Sequence, residues 1–220
     1  MELKGKVIDF LGDSITEGAG VEDIAANRFD NALREIAGLK AVHNYGVGGS
    51  RIAHQREASE MPRFDLCFCG RTYDMDRSAD VIVVFGGTND YGHGDAPFGA
   101  PGDRGPATYC GAVNFLMDTL RTEYPDAVTV FMTPARRLGD EKPSEERPGA
   151  VGKRPLAEYV DYILEAAKAR DIPVLDLYRV LPVNPNVPED YEKYTADGLH
   201  LNDTGHRMLA ELLKDFLEKL

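Results

Sequence analysis

The sequence predicts one α/β domain, a three-layer α/β/α sandwich around a five-stranded parallel sheet. Five short apolar runs recur along the chain, and segments whose apolar residues have helical spacing lie between and after them. Strands that alternate with helices in this way form parallel sheets with right-handed crossovers, which place helices on both faces of the sheet. The chain has 220 residues, 43% of them hydrophobic, which is enough for one sizeable core. We therefore expect residues 1–220 to form a single domain.

The apolar runs give the predicted strands, and the periodic segments give the predicted helices. The strands are residues 6–11, 41–47, 81–85, 128–132 and 173–177. The helices cover roughly residues 24–37, 110–124 and 155–170, and a last helix has an apolar stripe from Leu209 to Leu220. Asn202, Asp203 or Thr204 is expected to cap that last helix, because these side chains accept hydrogen bonds from the first free backbone N–H groups.

Three predicted loops are long, at residues 91–109, 136–153 and 179–196. They leave the carboxyl ends of strands, which is where sheets of this kind bind ligands. Loops of that length in a compact domain are usually functional or mobile, and their position here favours function.

Composition excludes several classes of partner. Lys and Arg total 25 against 37 Asp and Glu, a formal charge of −12 that repels nucleic-acid phosphates and anionic lipid surfaces. No apolar stretch approaches the ~18 residues of a membrane-spanning helix, and the N-terminal residues lack the pattern of a secretory leader. Three cysteines, Cys67, Cys69 and Cys110, do not suggest a disulfide framework. We expect a cytoplasmic protein with no nucleic-acid or membrane partner.

The first predicted strand runs into Gly12-Asp13-Ser14-Ile15-Thr16. A serine at a strand end and close to the start of a helix meets free backbone N–H groups and the helix dipole, which favour developing negative charge. That environment suits the nucleophile of acyl transfer. The alternative is that Ser14 only caps a turn, as Gly-Asp-Ser clusters often do.

Three glycines lie at the end of the second strand, in the segment Asn44-Tyr45-Gly46-Val47-Gly48-Gly49-Ser50. Glycines let the backbone approach a ligand closely and leave its N–H groups unshielded. Their spacing does not fit the G-x-G-x-x-G pattern of dinucleotide-binding loops. The segment therefore indicates either a pocket of N–H donors or simply a tight turn.

The third predicted strand ends in Gly86-Gly87-Thr88-Asn89-Asp90, which should reach the same edge of the sheet as Ser14. The side-chain amide of Asn89 can donate a hydrogen bond to an oxyanion there. The alternative is an Asx-turn, in which Asn89 satisfies the nearby backbone.

The segment Asp197-Gly198-Leu199-His200 lies just ahead of the last helix. Asp197 is near enough to reach Nδ1 of His200 and leave Nε2 directed outward as a base, which is the pattern of a Ser-His-Asp triad. An ordinary surface loop with a histidine is the alternative. Four such segments, each at a strand end or before the terminal helix, occur together by chance far less often than any one of them.

Together these segments resemble the four sequence blocks of the SGNH hydrolase superfamily, often called GDSL esterases. They occur in the family's order and span residues 12–200. The resemblance implies a flavodoxin-like α/β/α fold. It also implies that Ser14 is the nucleophile, that His200 is the general base, and that Asp197 orients the base.

By the same resemblance, the oxyanion hole would consist of the backbone N–H groups of Ser14 and Gly49 and the side-chain amide of Asn89. The chain departs from the family's second block, which usually reads Ser-Gly where this chain has Gly48-Gly49. No G-x-S-x-G surrounds Ser14, which argues against the other large esterase fold, the one with a nucleophile elbow.

The expected function is hydrolysis of short-chain, above all acetyl, esters of a polar or carbohydrate alcohol, because the loops near the site are polar and glycine-rich. Asp13, Gly48, Tyr91 and His93 are expected to contact the substrate. No cofactor is expected, and no metal either, since Cys67-x-Cys69 lacks a second ligand pair. The alternatives are a lipase, lysophospholipase or thioesterase of the same superfamily, a non-catalytic carbohydrate-binding protein on this scaffold, and a flavodoxin-like nucleotide binder. The sequence predicts no oligomeric state.

Overall fold

The computed structural model describes residues 1–144 and 154–220 and contains a parallel sheet of five strands. The strands are β1 (Val7–Gly12), β2 (Ala41–Gly46), β3 (Val81–Phe85), β4 (Val128–Met132) and β5 (Val174–Leu175), in the order β2-β1-β3-β4-β5. Every neighbouring pair is parallel. The predicted sheet is confirmed with one correction: the last strand is shorter than residues 173–177, because Leu177 already begins a helix.

Ten helices connect and follow the strands within the described residues. They are α1 (Ser14–Glu17), α2 (Ile24–Asn27), α3 (Phe29–Ala37), α4 (Phe68–Arg71), α5 (Thr88–Gly92), α6 (Tyr109–Glu123), α7 (Leu156–Lys168), α8 (Leu177–Val180), α9 (Pro188–Tyr194) and α10 (Asp203–Glu218). Short 3-10 turns lie at Pro62–Asp65 and Thr72–Asp74. In this described part of the chain, no helix combines the length and the apolar composition needed to cross a membrane.

Helices cover both faces of the sheet, as alternate residues of β3 illustrate. Ile82 and Val84 belong to one apolar cluster, together with buried side chains of α6 and α7. Val81, Val83 and Phe85 belong to a second cluster, together with buried side chains of α3 and α10. Because both faces are covered, β3 is apolar at every position instead of alternating. The α/β/α sandwich is confirmed.

The prediction of one helix over residues 24–37 is wrong. The helix is interrupted at Arg28, whose φ of −57° and ψ of 132° are not helical, and it divides into α2 and α3. The break lets Phe29 enter the core with none of its surface exposed, while the Arg28 guanidinium donates to the Asp30 carboxylate at 2.6 and 2.9 Å. Apolar spacing could not show the break, because the residues on either side of it each follow a helical pattern.

One of the three long loops is less irregular than the sequence suggested. The loop at 179–196 is partly helical, since it contains α9, which has a proline in its first turn. Residues 145–153 of the loop at 136–153 lie outside the described residues. The predicted cap of the last helix is confirmed as Asn202, whose side chain accepts a hydrogen bond from the Gly205 N–H at 3.1 Å.

His206 is a buried titratable residue in α10. Its ring stacks on Phe29 at a centroid distance of 5.8 Å, and its Nδ1 accepts a hydrogen bond from the Phe29 N–H at 3.2 Å. Nε2 therefore carries the hydrogen, and it has no acceptor among the described residues. Burial disfavours the charged ring and lowers the pKa of His206 to about 4, although the carboxylates of Asp30 and Asp203 act in the opposite direction.

We expect His206 to make the fold sensitive to acid. Because the pKa of the ring is lower in the folded chain than its ordinary 6.5, the stabilising contribution is present above pH 6.5 and is lost as the pH falls towards about 4. From about pH 7 to about pH 5 the loss in the free energy of unfolding is about 2 kcal/mol.

The variant His206→Asn keeps an acceptor for the Phe29 N–H and cannot titrate. Urea unfolding at a series of pH values should therefore show a smaller pH dependence for the variant than for the wild type. Subtracting the pH dependence of the variant's free energy of unfolding from that of the wild type removes the contributions of other titrating groups. An equal pH dependence of stability in the two proteins would contradict the role assigned to His206.

Candidate active site

Three strand ends meet at one edge of the sheet. β1 lies between β2 and β3, and its last residue, Gly12, is paired with Gly46 of β2 and with Phe85 of β3. The segments that follow the three strands therefore leave the sheet side by side. They carry Asp13-Ser14, Gly48-Gly49 and Asn89, in the order β1, β2, β3. This edge is where ligands bind in sheets of this kind.

Ser14 is the first residue of α1 and lies directly beyond β1. Asp13 caps this helix, because its Oδ1 accepts a hydrogen bond from the Ile15 N–H at 3.0 Å. Only 9% of Ser14 is exposed. Its Oγ lies 2.8 Å from Nε2 of His200, a residue 186 positions away in the chain. The structure thus brings together the serine and the histidine that the sequence singled out.

His200 makes its second contact with Asp197, at 2.6 Å between Nδ1 and Oδ2. The other carboxylate oxygen accepts hydrogen bonds from the backbone N–H groups of Leu199 and His200 at 2.9 and 2.7 Å. Burial opposes ionisation of Asp197, but the hydrogen bonds from His200 and the backbone outweigh it and lower the pKa. An ionised carboxylate only accepts hydrogen bonds, so Nδ1 of His200 carries the hydrogen and Nε2 accepts from the Ser14 hydroxyl.

The loop of residues 195–201 carries this histidine and is held on two sides. Thr195 and Leu201 form an antiparallel bridge across its base. Gly20, with φ of +89°, packs closely against it: a Cβ at this position would lie 2.6 Å from the Leu201 carbonyl oxygen and 3.0 Å from Cβ of His200. Both the backbone angle and the space therefore require glycine there.

The glycine turn after β2 leaves one backbone donor unpaired. The Gly48 N–H already donates to Oε2 of Glu17 at 2.8 Å. The N–H groups of Gly49 and Ser14, by contrast, have no acceptor within the described residues. Gly49 has φ of +74°, and a Cβ on it would overlap the ring of Phe64. Of the two glycines, Gly49 is therefore the one with an N–H available to an anion.

Asn89 lies in α5, directly beyond β3, and only 4% of it is exposed. One N–H of its side chain donates to the Ser50 carbonyl at 3.0 Å, and the other has no acceptor among the residues described. The neighbouring Asp90 accepts hydrogen bonds from the N–H groups of Ile52 and Ala53, both at 2.9 Å, which ties α5 to the chain beyond the glycine turn. Burial raises the pKa of Asp90 to about 6 in spite of these bonds.

Arg71 joins the strand ends next to the site, and sequence reasoning missed it. Its guanidinium donates to the Gly12 carbonyl at 3.0 Å, to Oγ of Ser50 at 2.9 Å and to the carbonyl of Tyr45. Burial lowers the pKa of Arg71 to about 10, while the negative charge of Asp13 acts against that shift. No sequence signal marks this arginine, because α4 belongs to no recognisable motif.

The other residues expected to contact substrate have roles inside the protein. Asp13 is buried, and burial raises its pKa to about 7. Tyr91 is also buried, and its hydroxyl shares its one hydrogen between the carbonyls of Gly139 and Lys142, at 3.1 and 2.9 Å. Nε2 of His93 lies 3.1 Å from Oδ1 of the adjacent Asn89. The substrate contacts expected of Asp13, Gly48, Tyr91 and His93 stay predictions.

The cysteines are packed in the core. Cys67, Cys69 and Cys110 are buried free thiols, and burial raises the pKa of Cys69 and that of Cys110, the latter to about 12. Across residues 1–144 and 154–220, no group of three or more His, Cys, Asp and Glu side chains is arranged to hold a metal ion.

A five-stranded parallel sheet between helices, with these residues at its carboxyl edge, is the fold of the SGNH hydrolases. The chain belongs to the GDSL-like lipase/acylhydrolase family, whose sequence model matches residues 10–208. It is thus a member of a hydrolase family. No curated protein has a matching sequence.

Similar solved structures share the fold over nearly the whole chain. A protein from Lactobacillus plantarum is 29% identical, with a TM-score of 0.82 and coverage of 99% of this chain and 98% of that one. A carbohydrate acetylesterase family member from Sinorhizobium meliloti is 18% identical, with a TM-score of 0.65 and coverage of 97% and 98%. The M. smegmatis aryl esterase is also 18% identical, with a TM-score of 0.68 and coverage of 98% and 100%. At 18% identity, these last two show the fold alone.

We expect Gly20→Ala to lower the hydrolytic activity of the protein, because the added Cβ would displace the loop that carries His200. Gly5→Ala is the matched control: Gly5 has a similar φ of +79°, but a Cβ there meets nothing within 4 Å. Both variants should lose about 1 kcal/mol of stability through the unfavourable backbone angle. Only Gly20→Ala should also lose turnover. Equal activity in the two variants would contradict this role of Gly20.

Proposed function

We propose that this chain is a serine esterase that removes short acyl groups, above all acetyl, from a polar or carbohydrate alcohol. The observation that carries the proposal is the pair of contacts from Ser14 Oγ to His200 Nε2, at 2.8 Å, and from His200 Nδ1 to Asp197 Oδ2, at 2.6 Å. The serine hydroxyl has a base within reach to take its proton, and the base has a carboxylate that fixes its orientation. Membership of an acylhydrolase family supports the same reaction class.

In the proposed mechanism, Oγ of Ser14 attacks the ester carbonyl carbon while its proton passes to Nε2 of His200. The tetrahedral intermediate then collapses, the bond to the alcohol oxygen breaks, and His200 gives the proton to that oxygen. Water attacks the acyl-enzyme and gives a proton to the same nitrogen, which returns it to Ser14 as the acid leaves. Asp197 stays ionised throughout and stabilises the imidazolium, in keeping with its lowered pKa.

Negative charge develops on the carbonyl oxygen during both attacks. We assign its stabilisation to the N–H groups of Ser14 and Gly49 and to the side-chain amide of Asn89, each of which has one hydrogen without an acceptor within the described residues. A fixed donor is effective because it needs no reorganisation as the charge forms, and losing one typically costs about 3 to 4 kcal/mol of transition-state stabilisation.

The surroundings of the glycine turn support a small and polar substrate. Arg63 and Glu17 form an ion pair at 2.5 Å, and 48% and 40% of their side chains are exposed. The Phe64 ring packs against Gly49. A charged pair offers hydrogen-bonding partners to the hydroxyl groups of a polar alcohol. The carbohydrate acetylesterase family member from Sinorhizobium meliloti, which has the same fold, is in line with this choice.

Ser14→Ala should remove activity. Hydrolysis of a small acetyl ester should fall by at least about a thousandfold, because the acyl-enzyme can no longer form. A fluorophosphonate probe should label the wild type and fail to label the variant. Ser78→Ala is the control, since Ser78 is exposed and precedes β3, at the opposite edge of the sheet.

Two results would contradict this assignment. Full hydrolysis by Ser14→Ala would show that Ser14 is not the nucleophile. A wild-type protein that binds sugars but neither reacts with the probe nor hydrolyses esters would favour the non-catalytic carbohydrate-binding alternative.

The acyl preference can be tested separately with a series of esters of one alcohol that differ only in acyl length. We expect kcat/KM to be highest for acetyl and to fall as the acyl chain lengthens, because the ion pair of Arg63 and Glu17 beside the glycine turn favours a small, polar substrate. A rate that rises steadily beyond about eight carbons would favour the lipase or lysophospholipase alternative. That result would leave the esterase proposal itself intact.

A further inference from the structure

His93 lies between a buried arginine and the amide of Asn89. Nη1 of Arg51 is 3.4 Å from Nδ1 of His93, and Nε2 of the same ring is 3.1 Å from Oδ1 of Asn89. The amide nitrogen of Asn89 in turn donates to the Ser50 carbonyl at 3.0 Å. Arg51, His93, Asn89 and Ser50 therefore form a continuous series of hydrogen bonds that passes through Asn89, a donor of the proposed oxyanion hole.

The chemistry of the arginine determines which group donates and which accepts in each of these hydrogen bonds. A guanidinium only donates hydrogen bonds, so Nδ1 of His93 accepts from Arg51. In the neutral ring the hydrogen then lies on Nε2, which donates to Oδ1 of Asn89. The oxygen end of the amide faces a donor, and its nitrogen end faces the Ser50 carbonyl, which accepts.

We propose that His93 is a positioning residue: it holds the Asn89 amide with its N–H group, and not its oxygen, towards the reacting carbonyl. This inference rests on the proposed esterase function. A flipped amide would set two donors against each other at His93 and two acceptors against each other at Ser50. It would also turn an acceptor towards the oxyanion, which would raise the energy of the transition state instead of lowering it.

Arg51, the first residue of this series of hydrogen bonds, is well placed to act as a fixed anchor. Arg51 has no exposed surface, and its guanidinium also donates to the Gly49 carbonyl at 3.3 Å and to Oγ of Ser59 at 2.9 Å. The ring of His93 packs against Phe64, with centroids 5.6 Å apart. The same arginine therefore contacts the glycine turn and the histidine, so two of the assigned oxyanion donors share one support.

Three variants of His93 distinguish the effect of the hydrogen bond that it donates from the effect of its size and shape. In His93→Gln the side-chain N–H reaches roughly the position of Nε2, in His93→Asn the polar atoms reach only that of Nδ1, and His93→Leu has no polar atom. For a small acetyl ester we expect kcat to fall about 10- to 100-fold in the Leu and Asn variants, with KM changed less than about threefold. The Gln variant should recover most of the lost rate. Urea midpoints of the three variants show whether each is folded.

A double-mutant cycle tests whether the effect passes through Asn89. Asn89→Ala alone should lower kcat by roughly a hundredfold or more. Adding His93→Leu to Asn89→Ala should lower kcat by less than about twofold further, because the group that His93 orients is already absent.

Several outcomes would overturn the inference. One is a wild-type kcat in His93→Leu. Another is a loss of kcat on adding His93→Leu that is as large in the Asn89→Ala background as in the wild type. A third is an effect of the His93 variants on KM alone, which would mean that His93 contacts the substrate. Equal rates in the Gln and Asn variants would also count against it. Failure of the proposed function is distinguishable, because it would appear as an active Ser14→Ala, whatever the His93 variants do.

Discussion

The site depends on a single long-range contact, the 2.8 Å hydrogen bond between Ser14 and His200, which are 186 positions apart in the chain. An error of about 1 Å in such a contact is enough to reduce a reaction rate strongly, so both partners need rigid supports. Ser14 follows β1, which has a paired strand on each side, and the cap from Asp13 fixes the first turn beyond it. His200 is held in a loop closed at its base by the bridge between Thr195 and Leu201.

Ionisable groups with little access to solvent lie between the strand ends that support Ser14, in addition to apolar side chains. Burial is the main cause of three pKa shifts there: Asp13 is raised to about 7, Asp90 is raised to about 6, and Arg71 is lowered to about 10. Such groups are costly to bury, but Arg71 and Asp90 each satisfy backbone groups of segments that are distant in sequence. Arg71 binds the carbonyls at the ends of β1 and β2, and Asp90 binds the chain after the glycine turn. Loss of one partner would leave a buried charge uncompensated, so these residues fix the geometry more than they add stability.

The sheet could be predicted from sequence because its strands are buried on both faces and appear as apolar runs. The motifs at the strand ends could then be placed together, because parallel strands bring their carboxyl ends to one edge. The contacts that could not be predicted join segments that are distant in sequence and that no motif connects. The pairing of Glu17 with the Gly48 N–H, which leaves Gly49 as the available donor, is one example. The break at Arg28 is another, because burying Phe29 in the core stabilises the fold more than an unbroken helix would.

Three histidines show why residue type alone does not determine chemistry. Nδ1 of His200 faces the carboxylate of Asp197, which accepts, so Nε2 is left to accept a hydrogen bond from the serine hydroxyl. Nδ1 of His93 faces the guanidinium of Arg51, which donates, so Nε2 carries the hydrogen and faces an amide oxygen. Nδ1 of His206 accepts from a backbone N–H, so Nε2 carries the hydrogen, and burial disfavours a second proton on this ring. The partner on Nδ1 decides the polarity of Nε2, and the two rings that border the site therefore present opposite polarities to it. The proposed acyl transfer needs both polarities at once, because the base must accept a proton on one side of the carbonyl while donors stabilise the oxygen on the other.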